Sequence, residues 1–102
     1  MPTYIMLTSM TSEGSQRLHS EPDRLNEVNE EVAELGCRVI TQYATLGPYD
    51  FVTVIEAADN ETIAVLSAGL SSRGTISVLT MPAMPTADFL GRLKAHTNFG
   101  KR

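Results

Sequence analysis

Four apolar segments of strand length, two amphipathic helical stretches between the outer pairs, and a Gly-Pro turn joining the middle pair predict an α+β chain. Their order is β-α-β-β-α-β, the split arrangement of ferredoxin-like folds. At 102 residues the chain fits one domain. The expected architecture is a four-stranded antiparallel sheet with two helices on one face and a short C-terminal helix. It spans residues 1–95, and a frayed tail follows at 96–102.

Each element follows from local chemistry. Tyr4 to Met10 is short, mostly apolar and bounded by Thr, Ser and Gly, as a strand should be. Thr11 to Leu18 contains Gly14 and several hydroxyls, which allows a turn or two of helix. Ser20-Glu21-Pro22-Asp23 reads as a helix start, with Ser20 as cap and Pro22 in the first turn. Leu25, Val28, Val32 and Leu35 then recur at helical spacing, and Gly36 stands where a left-handed C-cap is wanted. Val39 to Leu46 is the second strand and Phe51 to Glu56 the third. Gly47-Pro48-Tyr49-Asp50 turns the chain between them. Asp59 caps a second long helix whose Ile63, Leu66 and Leu70 form one stripe. Ile76 to Met81 is the fourth strand. Pro82 and Pro85 interrupt it, and Thr86 with Asp88 starts a terminal helix carrying Phe89, Leu90 and Leu93.

Right-handed crossovers place both long helices on the same face of the sheet and leave the other bare. An exposed face should carry polar residues. Here both are apolar: Ile5 and Leu7 oppose Tyr4, Met6 and Met10, and Val52 and Val54 oppose Phe51 and Ile55. A second cover is therefore expected, in part from the terminal helix and otherwise from a second copy packed sheet against sheet, giving a homodimer or higher oligomer.

Composition narrows the partners. Eight basic and twelve acidic residues give a net charge of −4. With no Lys/Arg cluster, neither nucleic acid nor an anionic membrane is an expected partner. No apolar run approaches a membrane span and no export signal opens the chain, so a cytoplasmic location is expected. The single cysteine, Cys37, has no internal disulfide partner.

Several segments then carry a family resemblance: Met1-Pro2-Thr3-Tyr4, Ser20-Glu21-Pro22-Asp23-Arg24-Leu25, Thr45-Leu46-Gly47-Pro48-Tyr49-Asp50-Phe51-Val52 and Val54-Ile55-Glu56-Ala57. Together the sequence resembles the GYD-domain proteins, from about Met1 to Leu93, with Gly47, Tyr49 and Asp50 supplying the Gly-x-Tyr-Asp element. The resemblance implies a small bacterial protein of the dimeric α/β-barrel type and implies no particular reaction. Tyr43 to Met81 is also similar to the effector-binding domain of leucine-responsive regulators. Those proteins add a helix-turn-helix that has no counterpart here, so only ligand binding or assembly could carry over.

Candidate site residues follow from the turn and the sheet. Asp50 could act as a general base or orient a ligand, with the Tyr49 hydroxyl beside it and Gly47 shaping the turn; alternatively Asp50 accepts backbone N–H groups and Tyr49 packs over it. Tyr43, Met6, Met10, Thr8 and Thr41 could line a small-molecule pocket on the bare sheet face, or fill core and interface. His19, with Glu21 and Asp23 nearby, could serve acid/base chemistry, but helix-start carboxylates have their own dipole explanation and no metal site is expected. Cys37 reads as a buried structural thiol. Gly69 and Gly74 form no phosphate loop, and no cofactor is expected.

The favoured reading is a homo-oligomeric small-molecule-binding module. The alternative is a cofactor-free monooxygenase- or isomerase-like enzyme, which needs a perturbed titratable group inside the cavity. A third reading is a structural subunit of a larger assembly, which needs no cavity.

Overall fold

A computed structural model describes residues 1–96, 98 and 99. The elements are β1 (Thr3–Met10), α1 (Ser12–Ser20), α2 (Arg24–Glu34), β2 (Arg38–Ala44), β3 (Phe51–Glu56), α3 (Asn60–Ser71), β4 (Ile76–Ala83) and α4 (Thr86–Ala95). The sheet order is β2-β3-β1-β4, and every neighbouring pair is antiparallel. That is the ferredoxin-like arrangement predicted from the element order. No helix among the described residues is long and apolar enough to cross a membrane. Of the expected tail 96–102, residues 97 and 100–102 lie outside the described residues.

The short helix expected over Thr11 to Leu18 is present as α1 and runs on to Ser20. Thr11 caps α1 by accepting the Gly14 N–H at 3.1 Å on its hydroxyl. Ser20 belongs to the last turn of α1, where its hydroxyl donates to the Arg17 carbonyl. It therefore does not cap α2, because Pro22 disfavours helical backbone in the residue before it and separates the two helices. α2 closes as expected: Gly36 takes φ +80°, and the Gly36 and Cys37 N–H groups donate to the Ala33 and Val32 carbonyls. This pairing is a Schellman closure. α3 begins at Asp59, whose carboxylate accepts from the Thr62 N–H and hydroxyl. Those two bonds hold the Asp59 carboxyl below its ordinary range.

Pro82 falls inside β4 instead of ending it, paired opposite Tyr4. β4 is an edge strand, where proline is tolerated because one side of the backbone has no ladder partner.

The helices cover the face that carries Tyr4, Met6, Thr8, Thr53 and Ile55, all buried with Val32, Ile63, Leu66 and Leu70. Tyr4 is held there by its hydroxyl, which donates to Asn60 Oδ1 at 2.6 Å and ties β1 to the start of α3. Burial pushes the Tyr4 phenol up from its ordinary pKa. Cys37 joins this core, and its burial likewise raises the thiol, as expected of a structural cysteine.

The opposite face carries Ile5, Leu7, Val52, Val54, Leu79 and Met81, and among the described residues no element packs across it. A bulge at Ile40 shifts the β2 register, so that Thr41 pairs with Val54 and Tyr43 with Val52 on this bare side. The terminal helix was expected to supply part of the cover. Instead α4 has no buried residue, and Phe89, Leu90 and Leu93 are all exposed. The described chain is correspondingly elongated, 56 × 29 × 21 Å. Its radius of gyration is 16.4 Å, against about 13 Å for a compact domain of this length.

Candidate functional site

The Gly-x-Tyr-Asp loop is tied tightly to the end of β1. Gly47 adopts φ +109°, a conformation that favours glycine. Thr45 donates its N–H to the Asp50 carbonyl at 2.8 Å and its hydroxyl to the Tyr49 carbonyl at 2.6 Å. The β1–β3 register runs out at Thr8 and Phe51. Just beyond it the Asp50 N–H donates to the Thr8 carbonyl at 2.7 Å, and the Asp50 carboxylate accepts the Met10 N–H at 2.7 Å. Ser9 adds a hydroxyl bond to the Pro48 carbonyl at 2.9 Å. The carboxylate thus stands in for the next backbone acceptor of a ladder that has ended.

This geometry makes a specific prediction. Asp50→Ala should lower stability by about 1–3 kcal/mol by leaving the Met10 N–H without its acceptor. Asp50→Asn should recover most of that loss, because its amide oxygen still accepts. Thermal unfolding of both variants measures the difference, and equal losses would show that charge rather than acceptor geometry matters.

The cavity lies elsewhere, between the covered sheet face and the helices, with a volume of about 100 Å³. Its walls come from α1, α2, the end of α3 and the covered side of the sheet. An ion pair between Arg73 and Glu31 bridges α2 to the turn after α3. It lowers the Glu31 carboxyl and raises the Arg73 guanidinium from their ordinary pKa values. Met6, Val28, Val32, Phe51 and Leu70 give the cavity an apolar floor. A polar thread crosses one wall: Asn29 donates to Gln42 at 3.1 Å, and Gln42 donates to the Thr53 hydroxyl at 3.0 Å. Arg17, Arg24 and Arg73 also stand in the lining. Among the described residues, no Asp, Glu, His, Cys or Tyr lines this space.

The expected site residues are therefore divided among three places. Met6, Thr8 and Met10 border the cavity, on the covered face and not on the bare face where the sequence grouped them with Tyr43. Tyr43 and Thr41 are on the bare face, where Tyr43 is well exposed. Gly47, Tyr49 and Asp50 form the loop and are not among the cavity's lining residues. His19 is exposed in the last turn of α1, and His96 follows α4 at the far end of the chain. Among the described residues, no three His, Cys, Asp or Glu side chains are gathered as a metal site would require. The arginines and the Asn29–Gln42–Thr53 thread were missed, because those residues are separated by long stretches of sequence and converge only through the fold.

The bare sheet is the third place. Leu79 and Met81 are exposed on its β4 edge and Tyr43 on its β2 edge, where Arg38 also pairs with Glu56 at 3.8 Å.

Comparison with known proteins agrees with this architecture. Residues 4–92 match the family model described as the GYD domain. A Thermus thermophilus protein named "Glutamine synthetase and cystathionine beta-lyase binding protein" is 47% identical over 95 residues, covering 92% of this chain and 100% of the relative. Among solved structures, another Thermus thermophilus protein superposes with a TM-score of 0.55 at 25% identity, covering 83% of this chain and 95% of that one. The leucine response regulatory protein of Mycobacterium tuberculosis superposes with a TM-score of 0.58 at 13% identity, covering 82% of this chain. The match spans 51% of that regulator's length and shows a shared fold alone.

Proposed function

This chain belongs to the GYD domain family, and from that membership and its bare apolar sheet we propose that it is a self-associating, protein-binding module. The sheet face carries the proposal. Four strands of six to eight residues, spaced about 4.8 Å apart, make a patch roughly 19 Å by 20–26 Å. That is near the upper size of apolar patch a monomer exposes, and about half of what each partner of a standard interface contributes. α4 offers a second apolar surface, from Phe89, Leu90 and Leu93, that the described residues leave exposed. A two-fold dimer that stacks the sheets and lays each α4 over the partner's sheet edge covers both surfaces at once.

The relative named for binding glutamine synthetase and cystathionine β-lyase supports the further step that the assembled unit docks on metabolic enzymes of those two kinds. The proposed compartment is the cytoplasm. A cavity walled by methionine, threonine, amide and arginine groups offers no group that moves protons readily near neutral pH, which favours binding over turnover.

Sedimentation velocity at micromolar concentration is expected to show a dimer or larger particle. Val52→Asp, which places a charge at the centre of the sheet face, is expected to reduce it to monomers without loss of secondary structure. Surface-immobilised wild-type protein should retain purified glutamine synthetase or cystathionine β-lyase. A stable wild-type monomer would overturn self-association, and failure to retain either enzyme would overturn the docking step alone.

A further inference from the structure

We propose that the cavity between the sheet and the helices binds a short aliphatic monocarboxylate, its hydrocarbon end on the Met6–Val32–Leu70 floor and its carboxylate at Arg17. The site lies on the face opposite the proposed docking surface, so either proposal can fail without the other.

Charge placement is the first ground. The chain is acidic and has eight basic side chains, yet three of them, Arg17, Arg24 and Arg73, wall this one cavity. Arg24 is paired with Glu27 at 2.9 Å, and Arg73 is paired with Glu31. Arg17 has no carboxylate partner among the described residues. The cavity therefore presents one uncompensated cation beside an apolar floor, which matches a monoanion with a hydrocarbon tail. A dianion such as phosphate would have to be held against a chain of net charge −4 with only one free guanidinium.

Size and hydrogen bonding are the second ground. An apolar cavity of about 150 Å³ accommodates benzene; one of about 100 Å³ accommodates a branched tail of roughly four or five carbons. The amides of Asn29 and Gln42 each use one N–H within the polar thread. Each has a second N–H to offer to a carboxylate.

The first measurement is calorimetric titration of the full chain with isovalerate, with isoamyl alcohol as a neutral isostere and inorganic phosphate as a bare anion. Isovalerate is expected to bind about tenfold or more tightly than the alcohol, as a charge-assisted hydrogen bond predicts. Arg17→Gln lies on an exposed helix end and should fold normally. It is expected to erase that preference while leaving the alcohol unchanged. Methyl NMR of the wild type should show isovalerate shifting Met6 and Met10 and leaving Met81 and Met84 unmoved. Equal binding of acid and alcohol, an unchanged preference in Arg17→Gln, phosphate binding as tight as isovalerate, or unmoved Met6 and Met10 methyls would each overturn the proposal, as would no isovalerate binding to the folded wild type.

Discussion

Gly14→Ala is expected to destabilise the protein by about 3 kcal/mol, at the upper end of what overpacking a fitted site costs. A Cβ built on Gly14 would lie 2.0 Å from the Thr75 carbonyl oxygen and 2.9 Å from its carbon. Both are backbone atoms, so no side chain can swing aside, and α1 must move away from the start of β4. That movement strains the bonds that hold the joint: the Thr11 N–H to the Thr75 carbonyl at 3.0 Å, and the Thr11 hydroxyl to the Gly74 carbonyl at 2.9 Å. Gly14 is buried and in ordinary helical backbone, so the requirement is close approach and not a left-handed conformation. At 4–8 °C per kcal/mol for a domain of this length, the melting temperature should fall by roughly 12–24 °C. Gly69→Ala is the control: nothing lies within 4 Å of a Cβ there, and alanine favours helix. A Gly14→Ala variant as stable as wild type would mean that α1 is not fixed to β4.

Much of this fold was legible in the sequence because several local signals agreed. Gly36 closing α2, Asp59 capping α3 and the stripe of Ile63, Leu66 and Leu70 all occupy the positions their chemistry predicts. Which side of the sheet the helices cover was not legible. Both sets of alternating residues on β1 are apolar, so a period of two separates Ile5 and Leu7 from Tyr4 and Met6 without saying which set is inside. The crossovers decide that, and they place Met6, Thr8 and Met10 under the helices. The cavity's arginines were invisible for a related reason. Arg17, Arg24 and Arg73 stand on three separate segments, and only the joining of α1, α2 and the turn after α3 brings them to one wall. α4 was legible as a helix from its apolar spacing, but spacing does not say what a helix packs against.

That last gap leads to the sharpest separation between folding and association. The double variant Phe89→Asp, Leu93→Asp is expected to leave the monomer's stability within about 0.5 kcal/mol of wild type, as for surface positions generally. Neither side chain is buried by its own chain: Phe89 is 51% exposed and Leu93 52%. Association should respond very differently. Covering the exposed half of such side chains against a partner contributes about 0.8–1.5 kcal/mol each, and a two-fold dimer loses four of them, so it weakens by at least 100-fold at 1.4 kcal/mol per decade. New carboxylates over a partner's apolar sheet edge add an unpaired-charge cost in the same direction. Urea unfolding below the dissociation concentration reads the first quantity, and sedimentation across a concentration series reads the second. A destabilised monomer with unchanged association would place α4 against its own chain. An unchanged monomer with a lost dimer would mean that this helix stands off its own domain because its binding surface belongs to the second copy.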